Sequence, residues 1–211
     1  IFEPLVQGAG GMSMVRPEFL RQVEKRVRQA GALLITDEVL TGFGRCGTLF
    51  AFQKAGLQPD LISLSKGLTG GFLPMGVTMA NEKIFSEFIG NNANLTFWHG
   101  HSFTGNPLGC AAANASLDLL QKNPKVYEEF EARHIPHLEK IMTHAKVKRV
   151  RVTGTIAAFD LNVEGPSGYL NSSGQTLKAE TMKNNVFTRP LGNVIYLLPP
   201  LCINDSQLEQ C

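Results

Sequence analysis

Between Pro17 and Ala30 apolar residues recur at a helical interval, at Phe19, Leu20, Val23 and Val27, with a proline at the start and Gly31 at the end. That spacing predicts an amphipathic helix. The pattern then changes at once. Ala32-Leu33-Leu34-Ile35-Thr36 is an unbroken, largely apolar run ending in Asp37-Glu38, which predicts a strand buried on both faces. A glycine-rich loop from Thr41 to Gly47 and a short helical stretch around Leu49 to Ala55 lead to a second such run, Leu61 to Ser65, ending at Lys66. Strand, helix and strand in this order predict a parallel βαβ unit with a right-handed crossover.

Farther along, Gly76 to Ala80 reads as another short strand, and Asn91 to Thr104 as a loop rich in Asn, His and aromatic residues. Asn106-Pro107 opens a helix from Leu108 to Leu120 whose many alanines predict tight packing. Asn123-Pro124 breaks the chain before a more polar helix that reaches about Met142. Strand patterns follow at Val150 to Leu161, Val186 to Arg189 and Val194 to Leu198, which places a domain boundary near residue 123, between 1–122 and 123–211. Ile1 to Gln7 reads as a strand with no initiator Met, and Ser206 to Gln210 as a helix just starting, so the expectation is a piece cut at both ends from a larger fold.

Composition narrows the class of ligand. The 211 residues carry 20 Lys and Arg against 18 Asp and Glu, a net charge of +2, with neither a basic stripe for nucleic acid nor an acidic tail. A small-molecule ligand is expected. No apolar run approaches the roughly 20 residues needed to span a bilayer, so no membrane partner is expected. Cys46, Cys110, Cys202 and Cys211 lack C-x-x-C spacing, which argues against a zinc site and a disulfide framework. A cytoplasmic, reducing setting fits, with an organelle left open because the N-terminus is missing. The sequons at Asn94, Asn114 and Asn171 read as chance matches, because no signal segment is visible and Asn114 falls in a helix.

Asp37 and Lys66 each end a buried strand, at the carboxyl edge where open α/β sheets bind ligands. A carboxylate there can hold a proton on a heterocyclic ring nitrogen. A partly desolvated lysine amine can attack a carbonyl carbon and shuttle a proton between two carbons. Those are the tasks of a pyridoxal phosphate (PLP) site. An apolar strand ending in Asp-Glu also holds magnesium in nucleotide triphosphatases, although the G-x-x-x-x-G-K-[ST] loop they need is absent from this chain. A non-catalytic remnant that merely dimerises is a third reading.

Thr36-Asp37-Glu38-Val39, Thr41-Gly42-Phe43-Gly44-Arg45, Ser63-Leu64-Ser65-Lys66-Gly67 and Gly105-Asn106-Pro107-Leu108 resemble, in order and spacing, the class III aminotransferases. With Gln7-Gly8-Ala9-Gly10-Gly11, these motifs run through essentially the whole chain. The resemblance implies an α/β protein of PLP fold type I, a mostly parallel sheet flanked by helices, with a small α+β C-terminal domain. It also implies the cofactor pyridoxal 5'-phosphate and a homodimer whose active sites are shared between subunits.

His99 to Pro107, Arg189 to Gly192 and Ile195 to Pro200 are similar to the biotin-pathway members of that family, whose acceptor is 8-amino-7-oxononanoate. Leu40, where many relatives have a glutamine, points the same way. The resemblance implies that Ser102 and the His101 turn bind cofactor phosphate across the dimer, and that Arg189 meets the substrate carboxylate, with Tyr196 and Gly100 lining its pocket. It implies S-adenosylmethionine as the usual amino donor, with lysine in some relatives. Enzymes of the ornithine, 4-aminobutyrate and glutamate-semialdehyde types are the rivals within the family.

Other residues carry two readings each. His99 and His101 form an H-x-H pair but lack companions at metal-ligand spacing, so no metal is expected. Phe97, Trp98 and Phe103 line a substrate tunnel or simply pack, and Arg45 guides the amino donor or ties down the glycine loop. Glu38 orients neighbours by hydrogen bonds or is a solvated or salt-bridged carboxylate, and is left outside the site.

Overall fold

The computed structural model describes residues 1–166 and 168–211. Helix α1 runs from Pro17 to Gln29 with Leu20 buried, close to its sequence pattern. Strand β3, Ile35–Asp37, pairs in parallel with β4, Leu61–Leu64, and Phe2 adds a parallel bridge on the other side of β3 at Thr36. Helix α2, Ala51–Ala55, lies between β3 and β4 in sequence, as the βαβ pattern predicts. Strand β5, Val77–Ala80, adds antiparallel to β4 and is followed by the short helix α3, Glu82–Ser86.

Several expected elements are shorter or absent. Ile1 to Gln7 is not a continuous strand, because Leu5 has a positive φ of 64° and separates the Phe2 bridge from β1, Val6–Gln7, which pairs with β2, Ser13–Met14. Ala32 and Leu33 stay outside β3, and Leu33 is 53% exposed. The reason is local: Gly31 turns the chain at φ 67° and the Ala32 amide bonds back to Val27, so pairing begins only at Ile35.

Asp60 clamps this layer. It accepts from the Leu34 amide (2.7 Å) and Asn81 Nδ2 (2.9 Å) and pairs with Arg28 of α1. Burial pulls its carboxyl upward, but the Leu34 amide, Arg28 and Asn81 outweigh burial and hold it below the ordinary value. Asp60→Ala strands those donors and is expected to lower unfolding free energy by about 2–3 kcal/mol, read by urea denaturation. Because the folded value is depressed, Asp60 stabilises above its unfolded value of about 3.9, and that stabilisation fades as pH falls through the folded value. An unchanged urea midpoint for the variant at neutral pH would remove Asp60 from this role.

Helix α4, Pro107–Lys122, begins at an Asn106 cap whose Oδ1 accepts from the Gly109 amide (2.7 Å). It lays one narrow face on the Lys66 turn and leaves Leu108 and Leu119 exposed at 73% and 65%, so the expected tight packing is not found. Helices α5, Lys125–Glu128, and α6, Phe130–Met142, lead to an antiparallel sheet of β6 (Val147–Thr153), β7 (Ile156–Leu161) and β8 (Val194–Leu197). Helix α7, Ser173–Lys183, was not evident from the sequence pattern. The expected strand at Val186 to Arg189 is coil, because the Val186 amide and Thr188 hydroxyl bond back to Thr181 of α7 instead of to a neighbouring strand. The chain closes with α8, Asp205–Gln210.

Two apolar clusters form the core, and the first joins β1 to the β6–β8 sheet. In one, Leu5, Val6, Cys46, Ala51 and Leu57 pack with Ile156 and Ala158 of β7. In the other, Phe43, Leu64, Leu120 and Tyr127 sit together, with Leu68 of the Lys66 turn packed against them. The turn is therefore supported from below by core side chains.

Candidate active site

Asp37 and Lys66 are brought to the same edge. Asp37 is the last residue of β3 and is in register with Ser63 of β4, so the chain reaches Lys66 three residues beyond Asp37's partner. Asp37 is half-buried. Its amide donates to the Phe2 carbonyl (2.9 Å) and its Oδ1 accepts from the Val39 amide (3.0 Å). Among the described residues, the other oxygen has no hydrogen-bond partner.

Lys66 opens a 3-10 turn, Lys66–Thr69, with its backbone in the left-handed region at φ 45°. For a lysine this conformation costs about 1–2 kcal/mol. The turn is pinned on several sides. The Ser116 hydroxyl donates to the Gly67 carbonyl (3.1 Å), Ser65 Oγ to the Met75 carbonyl (2.7 Å) and the Gly71 amide to the Lys66 carbonyl (3.2 Å). The Lys66 side chain is exposed, and its amine makes no hydrogen bond or ion pair among the described residues. An unpaired amine and a half-free carboxylate at one parallel edge suit a planar aldehyde with a basic ring nitrogen.

Arg189 and Tyr196 belong to a second group. They line an open cleft of about 610 Å³ with Thr188, Leu198 and Pro199 among others. Burial raises the Tyr196 hydroxyl above its ordinary value, and the nearby Arg189 charge opposes this. Arg45 approaches the same wall: its guanidinium donates to the Pro199 carbonyl (2.8 Å) and Thr155 Oγ1 (3.1 Å). Burial lowers its affinity for a proton. Those contacts tie the glycine loop to the second sheet.

Gly100, His101 and Ser102 lie on an exposed loop that bonds mainly to itself. The Phe103 amide donates to His101 Nδ1 (3.1 Å), and the His101 amide to Thr104 Oγ1 (3.0 Å). The Ser102 hydroxyl has no partner among the described residues. No hydrogen bond or ion pair among the described residues joins the three groups to one another.

Glu38 departs from the solvated or salt-bridged reading and instead hydrogen-bonds its neighbours. It is fully buried and pairs with no cation among the described residues; it accepts from Thr41 Oγ1 (2.6 Å) and the Ala51 (3.0 Å) and Phe52 (2.7 Å) amides. The available signal was α2 itself: Phe50 stands at its N-cap and has no side-chain acceptor, so the helix start needs a carboxylate from elsewhere.

The family profile described as "Aminotransferase class-III" matches residues 1–211. The chain belongs to the class III aminotransferases. It is 55% identical over 209 residues to an adenosylmethionine-8-amino-7-oxononanoate aminotransferase of Synechococcus elongatus, covering 99% of this chain and 49% of that protein. A protein of the same name from Geobacter sulfurreducens is 40% identical over 221 residues, covering 99% of this chain and 48% of its own length. The chain thus spans about half the length of the curated relatives it matches. Among solved structures it resembles an amine transaminase from an uncultivated Pseudomonas species in a PLP-bound form, with 30% identity and a TM-score of 0.89 over 99% of this chain and 49% of the other. This class III chain has the fold of PLP-dependent transaminases, fold type I, and the family cofactor is pyridoxal 5'-phosphate.

Proposed function

We propose that the protein containing this chain transfers an amino group from S-adenosylmethionine to 8-amino-7-oxononanoate, giving 7,8-diaminononanoate in biotin synthesis, by a ping-pong route. The observation that carries the reading is the pair of polar groups at one edge of adjacent parallel strands, Asp37 at the end of β3 and Lys66 in the turn just past the end of β4. When bound, PLP supplies an electron sink and a carrier for the amino group. Asp37 keeps the proton on the ring nitrogen, and Lys66 holds the cofactor covalently and then moves a proton between carbons. Arg189 takes the carboxylate of the keto acid in the cleft beside Tyr196, where a planar fork of donors suits a carboxylate. Gly100 lines the same substrate pocket, and His101 and Ser102 reach the cofactor phosphate of a second subunit in a homodimer. The unsatisfied Ser102 hydroxyl and the exposure of its loop are consistent with such a partner. We place the protein in the cytoplasm. No described helix is long and apolar enough to cross a membrane. Residues 1–122 serve as part of the cofactor domain and 123–211 as part of the small domain.

Borohydride reduction of the cofactor-loaded protein should erase its visible band and leave a label that maps to Lys66. A coupled assay offering S-adenosylmethionine and lysine separately then identifies the donor. A protein with no visible band that hydrolyses ATP overturns the proposal. Arg189→Ala is expected to raise KM for the keto acid by roughly 100-fold with cofactor binding unchanged, the scale of one bidentate charged contact. An unaltered KM would remove Arg189 from the carboxylate site. The solved neighbours include an (S)-enantioselective omega-transaminase from Thermomicrobium roseum, at 29% identity and a TM-score of 0.88. This favours a second reading, transfer from simple ω-amines, which turnover of such amines without S-adenosylmethionine would support.

A further inference from the structure

The side chain of Glu38 has no place in the chemistry above, yet it is the most heavily bonded carboxylate next to it. Alternation at the end of β3 sends Thr36 and Glu38 to one face, where both are fully buried, and Asp37 to the other. Three donors and no acceptor face the Glu38 carboxylate, an arrangement that suits the ionised form. Burial nonetheless pushes its carboxyl above the usual value; the Thr41, Phe52 and Ala51 bonds oppose this and the Asp37 charge adds to it. From the glycine loop, Cys46 also faces this charge, and burial holds its thiol at about 12, so it stays neutral. A buried carboxylate without a cation is a costly way to start a five-residue helix.

Its contacts suggest why the position is occupied. The Glu38 amide donates to the Ser63 carbonyl (2.9 Å), on the strand that leads to Lys66. Its own carbonyl accepts from the Gly42 amide (3.0 Å), and a β-carbon on Gly42 would come within 2.9 Å of that carbonyl. The next residue, Phe43, is buried in a left-handed conformation (φ 57°) and presses on Gly67, where a β-carbon would meet Phe43 Cβ at 2.9 Å. One connected path therefore runs from the residue after Asp37, through Thr41 to Phe43, to the residue after Lys66.

We propose that Glu38 is a positioning residue that fixes the separation of Asp37 and Lys66 by locking the Thr41–Phe43 loop between them. The proposal rests on the roles given above to Asp37 and Lys66. Glu38→Gln turns one acceptor into a donor that opposes Thr41 or an amide; Thr41→Val removes a single donor and keeps the volume.

The test uses the cofactor-loaded, full-length protein. The pH midpoint of the visible cofactor band, the cofactor dissociation constant and the melting temperature are measured for the parent and both variants. Expected are a band midpoint moved by about one unit and cofactor binding weakened roughly tenfold, the scale of one hydrogen bond to a charged acceptor. If Glu38→Gln fails to fold, Thr41→Val carries the same expectation with a smaller loss of stability. Variants that melt earlier but keep the parental midpoint and affinity would show Glu38 to be a helix cap only, which overturns the proposal. A parent protein without a visible band sinks the Asp37 and Lys66 reading instead.

Discussion

Replacing Lys66 by alanine is expected to reduce amino transfer by roughly 10⁴-fold or more, the upper range for a positioned proton-transfer group, while leaving the fold intact. The amine is the only part of the side chain with a chemical task, and it is exposed and unpaired among the described residues, so little packing is lost with it. The backbone should hold its shape because its supports come from elsewhere: Ser116 on the Gly67 carbonyl, the Gly70 amide on the same carbonyl (3.0 Å) and Phe43 against Gly67. Alanine in the left-handed region carries a strain like that of lysine, so the two proteins should melt within a few degrees of each other. The paired measurement is turnover and thermal unfolding of the same preparations. A variant that keeps parental turnover ends the assignment of Lys66. One that unfolds would mean instead that the amine has a structural partner in the assembled protein.

Much of this site is legible in the sequence. The run Ile35 to Asp37 and the run Leu61 to Leu64 are apolar enough to be strands, and a helix between them favours the parallel pair that is found. Once the pair is parallel, both polar ends must fall at one edge. What escaped were features set by long-range contact. Leu33 is apolar yet exposed, since strand pairing starts after the turn at Gly31 and not where hydrophobicity begins. Val186 to Arg189 has the composition of a strand but bonds to Thr181 first. Glu38 had two open readings because its donors, Ala51 and Phe52, are backbone groups more than a dozen residues away, hinted at only by the N-cap Phe50 with no acceptor of its own. Arg45 had two open readings; its bonds to Thr155 and Pro199 bridge separations that no local pattern encodes.

Gly154→Ala is expected to be strongly destabilising although it lies outside the chemistry, at about 3–5 kcal/mol. Gly154 turns the chain between β6 and β7 at φ 55°, a conformation an alanine enters only at a cost of about 1 kcal/mol or more. The larger part is space. A β-carbon there would overlap the backbone of Cys46 and Gly47 and come within 2.5 Å of the Arg45 carbonyl, and backbone cannot rotate aside as a side chain can. The hairpin would have to lift from the glycine loop. Lifting it loosens the Gly154 amide on Glu131 (2.8 Å), the Thr155 amide on the Arg45 carbonyl (2.9 Å) and the His134 ring on the Thr155 carbonyl (3.0 Å). Gly31→Ala is the control, because Gly31 has a similar φ of 67° and nothing within 4 Å of the added carbon. It isolates the conformational cost, about 1 kcal/mol. The two urea midpoints should therefore separate clearly, with Gly154→Ala melting roughly 10 °C below Gly31→Ala, at the 2–4 °C per kcal/mol usual for this size. Equal midpoints would mean that the hairpin and the glycine loop are not in backbone contact, and the coupling of Arg45 to the second sheet would fall with it.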